Sequence, residues 1–337
     1  MKIDVVTVMG SPKDITANDI FDRGVGGAEL ALMSWAEIMS KRGHEIRIYN
    51  QTKPLTHNIN GVQYLPDQQF IPSDERDILI TFRGPNVLAQ GARGKQIGWS
   101  CDQYSVGKYI DWYNETDKII LISQFHKQDH IFRYGPIVDT KGQVIDLGVR
   151  SWEYSVMPKE PYSFIFCSVP DRGLNELADI WPKIREAFPL ATLTVTSDYT
   201  LWGASSPLNM QYRMRLAGQP GIRFLGNIPR EQLVEEQCRA EINLYPCNYD
   251  ENFCIAIAEC QVAGVYCLTT GKGALSTTNF TGSVYPVMDV DTVIADLQSF
   301  YSNDTGKVFM QEDIRNQAIE RFNWDGIAEQ WEQAFND

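Results

Sequence analysis

Short apolar runs alternate with amphipathic stretches along all 337 residues, and this alternation constrains the fold more than any other feature. Apolar runs are typical of buried parallel strands, and the amphipathic stretches are typical of helices that cover a sheet. The chain therefore predicts an α/β fold built from βαβ units. The pattern stops over residues 150–161 and then restarts. We expect two Rossmann-like domains that face a central cleft, with the carboxyl ends of the strands directed at a ligand.

The predicted elements follow the same alternation in both halves. The predicted strands span 3–9, 45–50, 77–82, 95–100, 117–123 and 142–147 in the first half, and 163–168, 192–197, 222–225, 241–246, 265–270 and 283–287 in the second. The predicted helices span 27–42, 173–187, 208–217, 230–239, 253–263, 289–302, 310–321 and 323–335.

Composition excludes several classes of protein. The net charge of -13 argues against a nonspecific nucleic-acid binder, because phosphate neutralisation requires clustered Lys and Arg. No apolar stretch approaches the roughly 18–20 residues that span a bilayer, so no integral membrane segment is predicted. Seven irregularly spaced cysteines without a Cys-x-x-Cys pair, and only four histidines, predict reduced thiols and no metal site. We expect a soluble, cytoplasmic protein.

Two glutamates carry the most specific local pattern. Glu251 and Glu259 have seven residues between them and lie between two apolar runs. A helix that starts near Asn252 would direct its N-terminal amides at a diphosphate. Glu251 could then accept hydrogen bonds from sugar hydroxyls, and Glu259 from ribose hydroxyls. Two solvated carboxylates are the alternative, but Glu259 lies in a mostly apolar helix, where an unpaired charge is costly.

Glycines and a lysine form two further candidate loops. Gly26 and Gly27 open the helix 27–42, where glycine allows backbone amides to approach an anion closely; a flexible, glycine-capped connection is the alternative. After the loop Thr269-Thr270-Gly271, Lys272 stands in a segment that resembles a phosphate loop in composition but lacks its spacing.

Two single residues follow predicted strands. Arg172 comes just after strand 163–168, where a guanidinium fork could bind phosphate oxygens; a surface arginine is an equally good interpretation. Asp102 follows the strand 95–100, and it either faces the cleft or caps the next helix. No sequence signal connects Cys101 with His126 or His130 as a nucleophile and its base.

Together these motifs resemble the retaining glycosyltransferases of family 4, which have the two-domain GT-B fold. The elements that carry the resemblance are Gly26-Gly27-Ala28-Glu29, Leu147-Gly148-Val149, Arg172-Gly173, Pro189-x-Ala191-x-Leu193-x-Val195, Phe224-Leu225-Gly226, the stretch Glu251 to Glu259, and Phe322-x-Trp324-x-x-Ile327-Ala328. The resemblance implies an acceptor domain over residues 1–150 and a donor domain over 151–321. A C-terminal helix in 322–337 would cross back to the first domain.

The resemblance also implies an activity. The expected enzyme is a hexosyltransferase that moves a sugar from a UDP- or GDP-sugar to a glycan or lipid-linked acceptor, with retention and without a metal or another cofactor. The implied catalytic residues are Glu251, Asp102 and Arg172. The implied donor-binding residues are Gly26, Gly27, Arg172, Glu251, Asn252, Phe253, Cys254, Ile255, Glu259 and Lys272. Glu259 would hold the ribose, Glu251 the donor sugar, and Arg172 the diphosphate.

Departures from the family pattern keep two alternatives open. The family usually carries His-Asp where this chain has Cys101-Asp102, and its Gly-Arg before the Lys-Gly element is absent, so Lys272 is a candidate substitute cation. A catalytically silent protein that binds a sugar nucleotide or a glycan is the first alternative. A sugar-nucleotide epimerase on the same fold is the second.

Overall fold

The protein consists of two compact units. The computed structural model describes residues 1–7, 13–102, 109–196, 198–202 and 207–337, with only the backbone of residues 202, 207 and 208. The first unit contains Met1–Ile20, Ala28–Gly148 and Trp324–Asp337, and the second contains Phe21–Gly27 and Val149–Asn323. The chain thus passes between the units more than once, and its last helix belongs to the first unit, as predicted. The predicted strands 3–9 and 192–197 therefore lie only partly in the described part, since residues 8–12 and 197 are outside it.

The first unit contains an eight-stranded sheet. Its strands are β1 (Lys2–Thr7), β2 (Glu45–Gln51), β3 (His57–Ile59), β4 (Val62–Pro66), β5 (Ile78–Phe82), β6 (Lys95–Ser100), β7 (Lys118–Leu121) and β8 (Gly142–Val144). Their order is β3-β4-β2-β1-β5-β6-β7-β8. All neighbours pair in parallel except β3 and β4, which form an antiparallel hairpin at the edge that was not predicted.

The second unit contains a fully parallel sheet of six strands. They are β9 (Ser163–Phe166), β10 (Thr192–Val195), β11 (Ile222–Phe224), β12 (Ile242–Tyr245), β13 (Tyr266–Thr270) and β14 (Ser283–Tyr285). The order β11-β10-β9-β12-β13-β14 reverses direction between β9 and β12. Ligands of open α/β sheets bind beyond the carboxyl ends of the strands at such a reversal. The segments after β9 and β12 are therefore the expected position of a ligand site.

Helices join successive strands in both units. They are α1 (Asp19–Asp22), α2 (Gly27–Lys41), α3 (Tyr109–Glu115), α4 (Gln124–Tyr134), α5 (Ile137–Lys141), α6 (Leu174–Ala187), α7 (Pro207–Leu216), α8 (Arg230–Arg239), α9 (Ile255–Val262), α10 (Leu275–Thr278), α11 (Val290–Tyr301), α12 (Asp304–Arg321) and α13 (Trp324–Asn336). Single-turn 3₁₀ helices span Asp67–Gln69, Val87–Ala89, Ser151–Glu153, Pro170–Arg172 and Tyr199–Trp202. In the described part of the chain, none of the helices has the length and apolar character needed to cross a bilayer.

Aromatic packing fixes α13 to the first unit. The ring of Trp331 lies 5.3 Å from Trp35 on α2 and 4.8 Å from Trp99 on β6, and all three side chains are buried. At the start of α13, the indole of Trp324 covers Gly148, where a Cβ would come within 2.4 Å of the ring. Burial of such large rings contributes several kcal/mol to the stability of a domain. The return of the chain to the first unit therefore has a hydrophobic cause.

An ion pair connects α13 to the end of α2 and makes the stability of this attachment depend on pH. Arg42 donates to both oxygens of Glu332 at 2.9 and 2.7 Å, and with His44 it lowers the pKa of Glu332 to about 2. Because this pKa is lowered on folding, the stabilisation is present above the unfolded pKa of 4.5 and is lost as the pH falls towards 2. We expect Glu332→Gln to lower the free energy of unfolding by about 1 kcal/mol at pH 7.

Chemical denaturation between pH 2 and 7 measures this effect. The difference between wild type and Glu332→Gln should shrink as the pH falls through this window. Glu329→Gln, an exposed change on the same helix, is the control and should stay within about 0.5 kcal/mol of wild type. A difference for Glu332→Gln that is equal at pH 2.5 and pH 7 would contradict the interpretation.

Candidate functional site

Arg172 and Glu251 lie together at the reversal point of the second sheet. Arg172 ends the 3₁₀ turn after β9, and Glu251 lies in the loop after β12. The Arg172 Nε is 3.3 Å from Glu251 Oε1, and the side chains are 16% and 14% exposed. The neighbouring pairing of β9 with β12 brings these loops side by side. A cation and a carboxylate that are largely buried beyond the strand ends form a candidate ligand site.

The Glu251 carboxylate is held on two sides. The hydroxyl of Tyr245, the last residue of β12, donates to Glu251 Oε1 at 3.0 Å and lies 3.2 Å from the hydroxyl of Ser168. Burial raises the pKa of Glu251, while Arg172 and the hydrogen bond from Tyr245 lower it in part. A carboxylate that retains capacity on its second oxygen can accept hydrogen bonds from ligand hydroxyls.

Aromatic stacking orients the guanidinium of Arg172. Its central carbon lies 3.6 Å from the centre of the Tyr249 ring, and its Nη1 donates to Asp171 Oδ2 at 3.0 Å. Burial lowers the pKa of Arg172, but Glu251 and Asp171 outweigh this and raise it, so the group stays positive. Stacking fixes the plane of the fork, as recognition of a phosphate requires.

Close contacts between backbones set the position of these loops. Gly173 has a φ of +108°, and a Cβ there would lie 2.7 Å from the carbonyl of Pro246. Gly273 has a φ of +57°, forms a parallel bridge with Glu251, and leaves no room for a side chain against that residue. The amide of Ala274 donates to the carbonyl oxygen of Glu251 at 2.7 Å. Glycine is required at both positions by conformation and by space.

The helix after Glu251 begins later than predicted. The sequence predicts a start near Asn252, but α9 begins at Ile255, because Cys254 adopts a left-handed conformation with a φ of 70° and a ψ of 75°. The segment from Asn252 to Cys254 is thus a turn, in which Phe253 is buried and packs against Phe322 at 5.8 Å. The amides at the start of α9 still lie directly after the Glu251 loop.

Gly27 connects the glycine-rich segment with α9. A Cβ on Gly27 would lie 2.8 Å from the side chain of Ile255, so these two predicted donor-binding residues are in contact. Gly26 precedes it and is buried, and both belong to the second unit although they come from the N-terminal part of the chain. Lys272 is exposed in the loop after β13, next to Gly273. The structure therefore brings most of the predicted donor-binding residues to one edge of the sheet.

Glu259 differs from the other predicted charged residues because it is almost fully buried. It is 3% exposed, and its Oε1 accepts a hydrogen bond from Nη1 of Arg230 at 2.5 Å. Its Oε2 lies 3.4 Å from the amide nitrogen of Gln237. The apolar surroundings in the sequence predict that this charge has a partner, but they do not indicate that Arg230 is that partner. The available signal was an arginine directly after Asn227-Ile228-Pro229, at the start of an amphipathic helix.

Asp102 has a strong internal partner in the first unit. Arg83 donates to its two oxygens from Nε at 2.6 Å and from Nη2 at 3.1 Å, and also to Glu29 on α2 at 2.9 Å. Arg83 follows β5 with a φ of 73°, which is uncommon for a residue with a side chain. Asp102 thus belongs to a triad of charges beyond the strands of the first sheet. Its predicted alternative, capping of the next helix, falls on residues outside the described part.

Burial shifts the pKa values of Cys101 and of the two histidines of α4 away from neutral pH. Burial and Asp102 raise the pKa of Cys101 well above its usual range. His126 Nε2 lies 3.4 Å from the hydroxyl of Ser100, and burial keeps the pKa of His126 well below its usual value. Burial lowers the pKa of His130 to about 4, and this ring accepts from or donates to the hydroxyl of Tyr113 at 2.8 Å. These histidines are neutral near pH 7.

Comparisons with known proteins identify the fold. No protein-family model and no curated protein sequence matches this chain. Among solved structures, a glycosyltransferase from Rickettsia africae is 16% identical with a TM-score of 0.73, and the match covers 99% of this chain and 97% of that one. Sucrose-phosphate synthase from Thermosynechococcus elongatus is 14% identical with a TM-score of 0.72, covering 100% and 98%.

A third structure carries a ligand. HepE from Anabaena, in complex with UDP-glucose, is 16% identical with a TM-score of 0.72, and the match covers 100% of this chain and 99% of that one. At these identities, the likeness shows the fold. The predicted α/β class with two parallel-sheet domains of the GT-B type is confirmed.

Proposed function

We propose that this chain is a glycosyltransferase that moves a sugar from a nucleoside diphosphate sugar to a hydroxyl acceptor. The observation that carries the proposal is the Arg172–Glu251 pair at the reversal point of the second sheet, beside the first turn of α9. A diphosphate needs cations and backbone amides, and a sugar needs acceptors for its hydroxyls; both are present within one loop cluster. HepE, which has the same fold, binds UDP-glucose.

In this proposal each residue has one task. Arg172, Lys272 and the amides at the start of α9 bind the diphosphate and stabilise the charge that develops on the leaving phosphate. Glu251 accepts hydrogen bonds from the transferred sugar. Glu259 accepts hydrogen bonds from the ribose hydroxyls, and Asp102, held by Arg83, serves the acceptor hydroxyl in the first unit.

We further propose that the enzyme resembles retaining enzymes of family 4 in its chemistry. The bond from the sugar C1 to the phosphate oxygen breaks while the bond from C1 to the acceptor oxygen forms on the same face. The acceptor proton passes to the departing phosphate oxygen. No metal takes part in this scheme, because Arg172 and the helix amides supply the positive charge that a metal would supply elsewhere. A hexose is the proposed transferred group, and a glycan or a lipid-linked sugar is the proposed acceptor.

A panel of nucleotide sugars tests the proposal. We expect one of the UDP-, GDP- and ADP-hexoses to raise the melting temperature, with about 2.7 kcal/mol of stabilisation at about 100 times its dissociation constant. The same donor should release nucleotide when candidate glycosides are added, also in the presence of EDTA. The corresponding nucleoside monophosphate is the matched control and should stabilise less, since it lacks the second phosphate. No stabilisation by any nucleotide sugar would overturn the proposal.

The same panel separates the alternatives. Cys101 stands where family 4 enzymes usually have histidine, and burial leaves its thiol protonated near pH 7. Binding without turnover on a broad set of acceptors, and without recovery in Cys101→His, would identify a silent binding protein. Epimerised donor that forms without an acceptor would identify an epimerase.

A further inference from the structure

Arg230 lies at the centre of a buried polar network in the second unit. It is the first residue of α8 and 4% exposed. Its three nitrogens have three different partners: Nε donates to Glu153 Oε2 at 2.7 Å, Nη1 to Glu259 Oε1 at 2.5 Å, and Nη2 to the hydroxyl of Tyr154 at 3.2 Å. The guanidinium thus joins the segment just before β9 to α9, the helix that carries Glu259.

The network closes into a ring around Glu259. The hydroxyl of Tyr154 donates to Gln237 Oε1 at 2.8 Å, and the amide nitrogen of Gln237 lies 3.4 Å from Glu259 Oε2. Tyr154, Gln237 and Glu259 are all at least 96% buried. Each oxygen of Glu259 therefore has a donor from within the fold. Both contacts come from α8, so this helix determines where the carboxylate lies.

The charges of the network balance. Arg150 also donates to Glu153, so two arginines face two glutamates. Burial lowers the pKa of Arg230, but Glu259, Tyr154 and Glu153 outweigh this and raise it well above its usual range. Loss of this cation would leave the buried Glu259 carboxylate without a compensating charge. Arg230 is thus the group that compensates the charge of Glu259 within the fold.

We propose that Arg230 is a positioning residue for nucleotide recognition: it holds the Glu259 carboxylate in one orientation, so that this carboxylate selects ribose over deoxyribose. The inference rests on the proposed function, in which Glu259 binds the ribose hydroxyls. One bond to Arg230 and one long contact to Gln237 leave lone pairs on Glu259 for two ribose hydroxyls. A displaced carboxylate would lose these charge-assisted bonds.

A purely structural role for Arg230 predicts a different outcome. If the ion pair only stabilised the fold, its loss would weaken binding of all nucleotides equally. If Arg230 positions Glu259, its loss removes the contribution of the 2′-hydroxyl in particular. The ratio of the dissociation constants of a 2′-deoxynucleoside diphosphate and its ribonucleotide is therefore the informative measurement, because general damage cancels in it.

The experiment uses UDP, GDP or ADP, whichever stabilises the wild-type protein most, together with its 2′-deoxy form in calorimetric titrations. We expect wild type to prefer the ribonucleotide by about tenfold or more, since a hydrogen bond to a charged group is worth at least that factor. In Arg230→Gln the ratio should fall to about one. Arg239→Gln, at the other end of α8 and paired with Glu160 and Glu235, is the matched control and should keep the wild-type ratio.

A second variant covers the case in which Arg230→Gln does not fold. The double change Arg230→Gln with Glu153→Gln removes one charge of each sign and leaves Arg150 and Glu259, so the buried network stays neutral. The same collapse of the ratio is expected there. The inference would be overturned if either folded variant kept the ratio of dissociation constants seen in the wild-type protein. It would also be overturned if the wild-type protein bound the ribonucleotide and its 2′-deoxy form equally. Absence of nucleotide binding by wild type would instead overturn the proposed function itself.

Discussion

Glu251→Gln is expected to lower the rate of sugar transfer by about 100-fold or more, while the dissociation constant of the nucleoside diphosphate changes by less than about threefold. Glutamine has nearly the same shape and still accepts the hydrogen bond from Tyr245, so the loop keeps its position. It lacks the negative charge that faces Arg172 and that the proposed function assigns to binding the sugar hydroxyls. Loss of one charge-assisted contact at a reacting sugar is worth about this factor.

Single-turnover transfer and calorimetric titration with the nucleoside diphosphate measure the two quantities separately. Asp171→Asn is the matched control, because Asp171 also contacts the Arg172 guanidinium but from an exposed position. We expect that variant to keep transfer within about threefold of wild type. Wild-type transfer by Glu251→Gln would remove Glu251 from the reaction. A parallel loss of binding would mean that it holds the diphosphate site instead.

Glu259→Ala is expected to have the largest combined effect, on stability and on nucleotide binding. Removing one partner of a buried ion pair typically costs about 3–5 kcal/mol, because the other charge remains without compensation. In this variant Arg230 would keep its ion pair with Glu153, but Glu153 also pairs with Arg150. The Arg230 guanidinium would therefore lose the carboxylate that it does not share with Arg150. Nucleotide affinity should fall by about 100-fold or more, since both ribose hydroxyls lose their acceptor.

A paired replacement separates these two effects. Arg230→Met together with Glu259→Leu exchanges the buried pair for apolar side chains of similar volume, a change that is often neutral or stabilising. We expect this double variant to recover most of the lost free energy of unfolding in chemical denaturation. It should still fail to bind nucleotide in titrations. Recovery of binding together with stability would show that Glu259 acts only through the fold.

The sequence allowed the fold to be predicted in most respects. Every predicted strand that lies in the described part of the chain is present. The reason is that the strands of a parallel sheet are buried on both faces, so they appear in the sequence as short apolar runs between amphipathic helices. The hairpin β3–β4 was missed because β3 has only three residues, two of them polar, and β4 ends at a proline. Asn60-Gly61, with φ values of 53° and 79°, is the turn signal that could have revealed it.

The candidate site was less accessible to sequence reasoning, for a physical reason. Glu251, Arg172 and Gly27 could be found because each stands next to a strand or helix end, where topology determines the neighbours. Arg230 lies 29 positions from Glu259 along the chain, and only the packing of α8 against α9 shows that they pair. Arg83 and Asp102 are likewise 19 positions apart. Side-chain partners across elements depend on three-dimensional packing that periodicity does not encode.

The bridge between Glu251 and Gly273 bears on how the selectivity of this protein could be altered. Glu251 is supported by separate loops, so a substitution that removed one of these contacts would displace its carboxylate. Lys272, directly beside the bridge, has an exposed side chain that supports nothing else in the described structure. A substitution at position 272 should therefore leave the Glu251 carboxylate in place, whereas position 273 must remain glycine. Of these two adjacent positions, 272 can vary without moving Glu251, and 273 maintains the backbone contact that holds Glu251 in place.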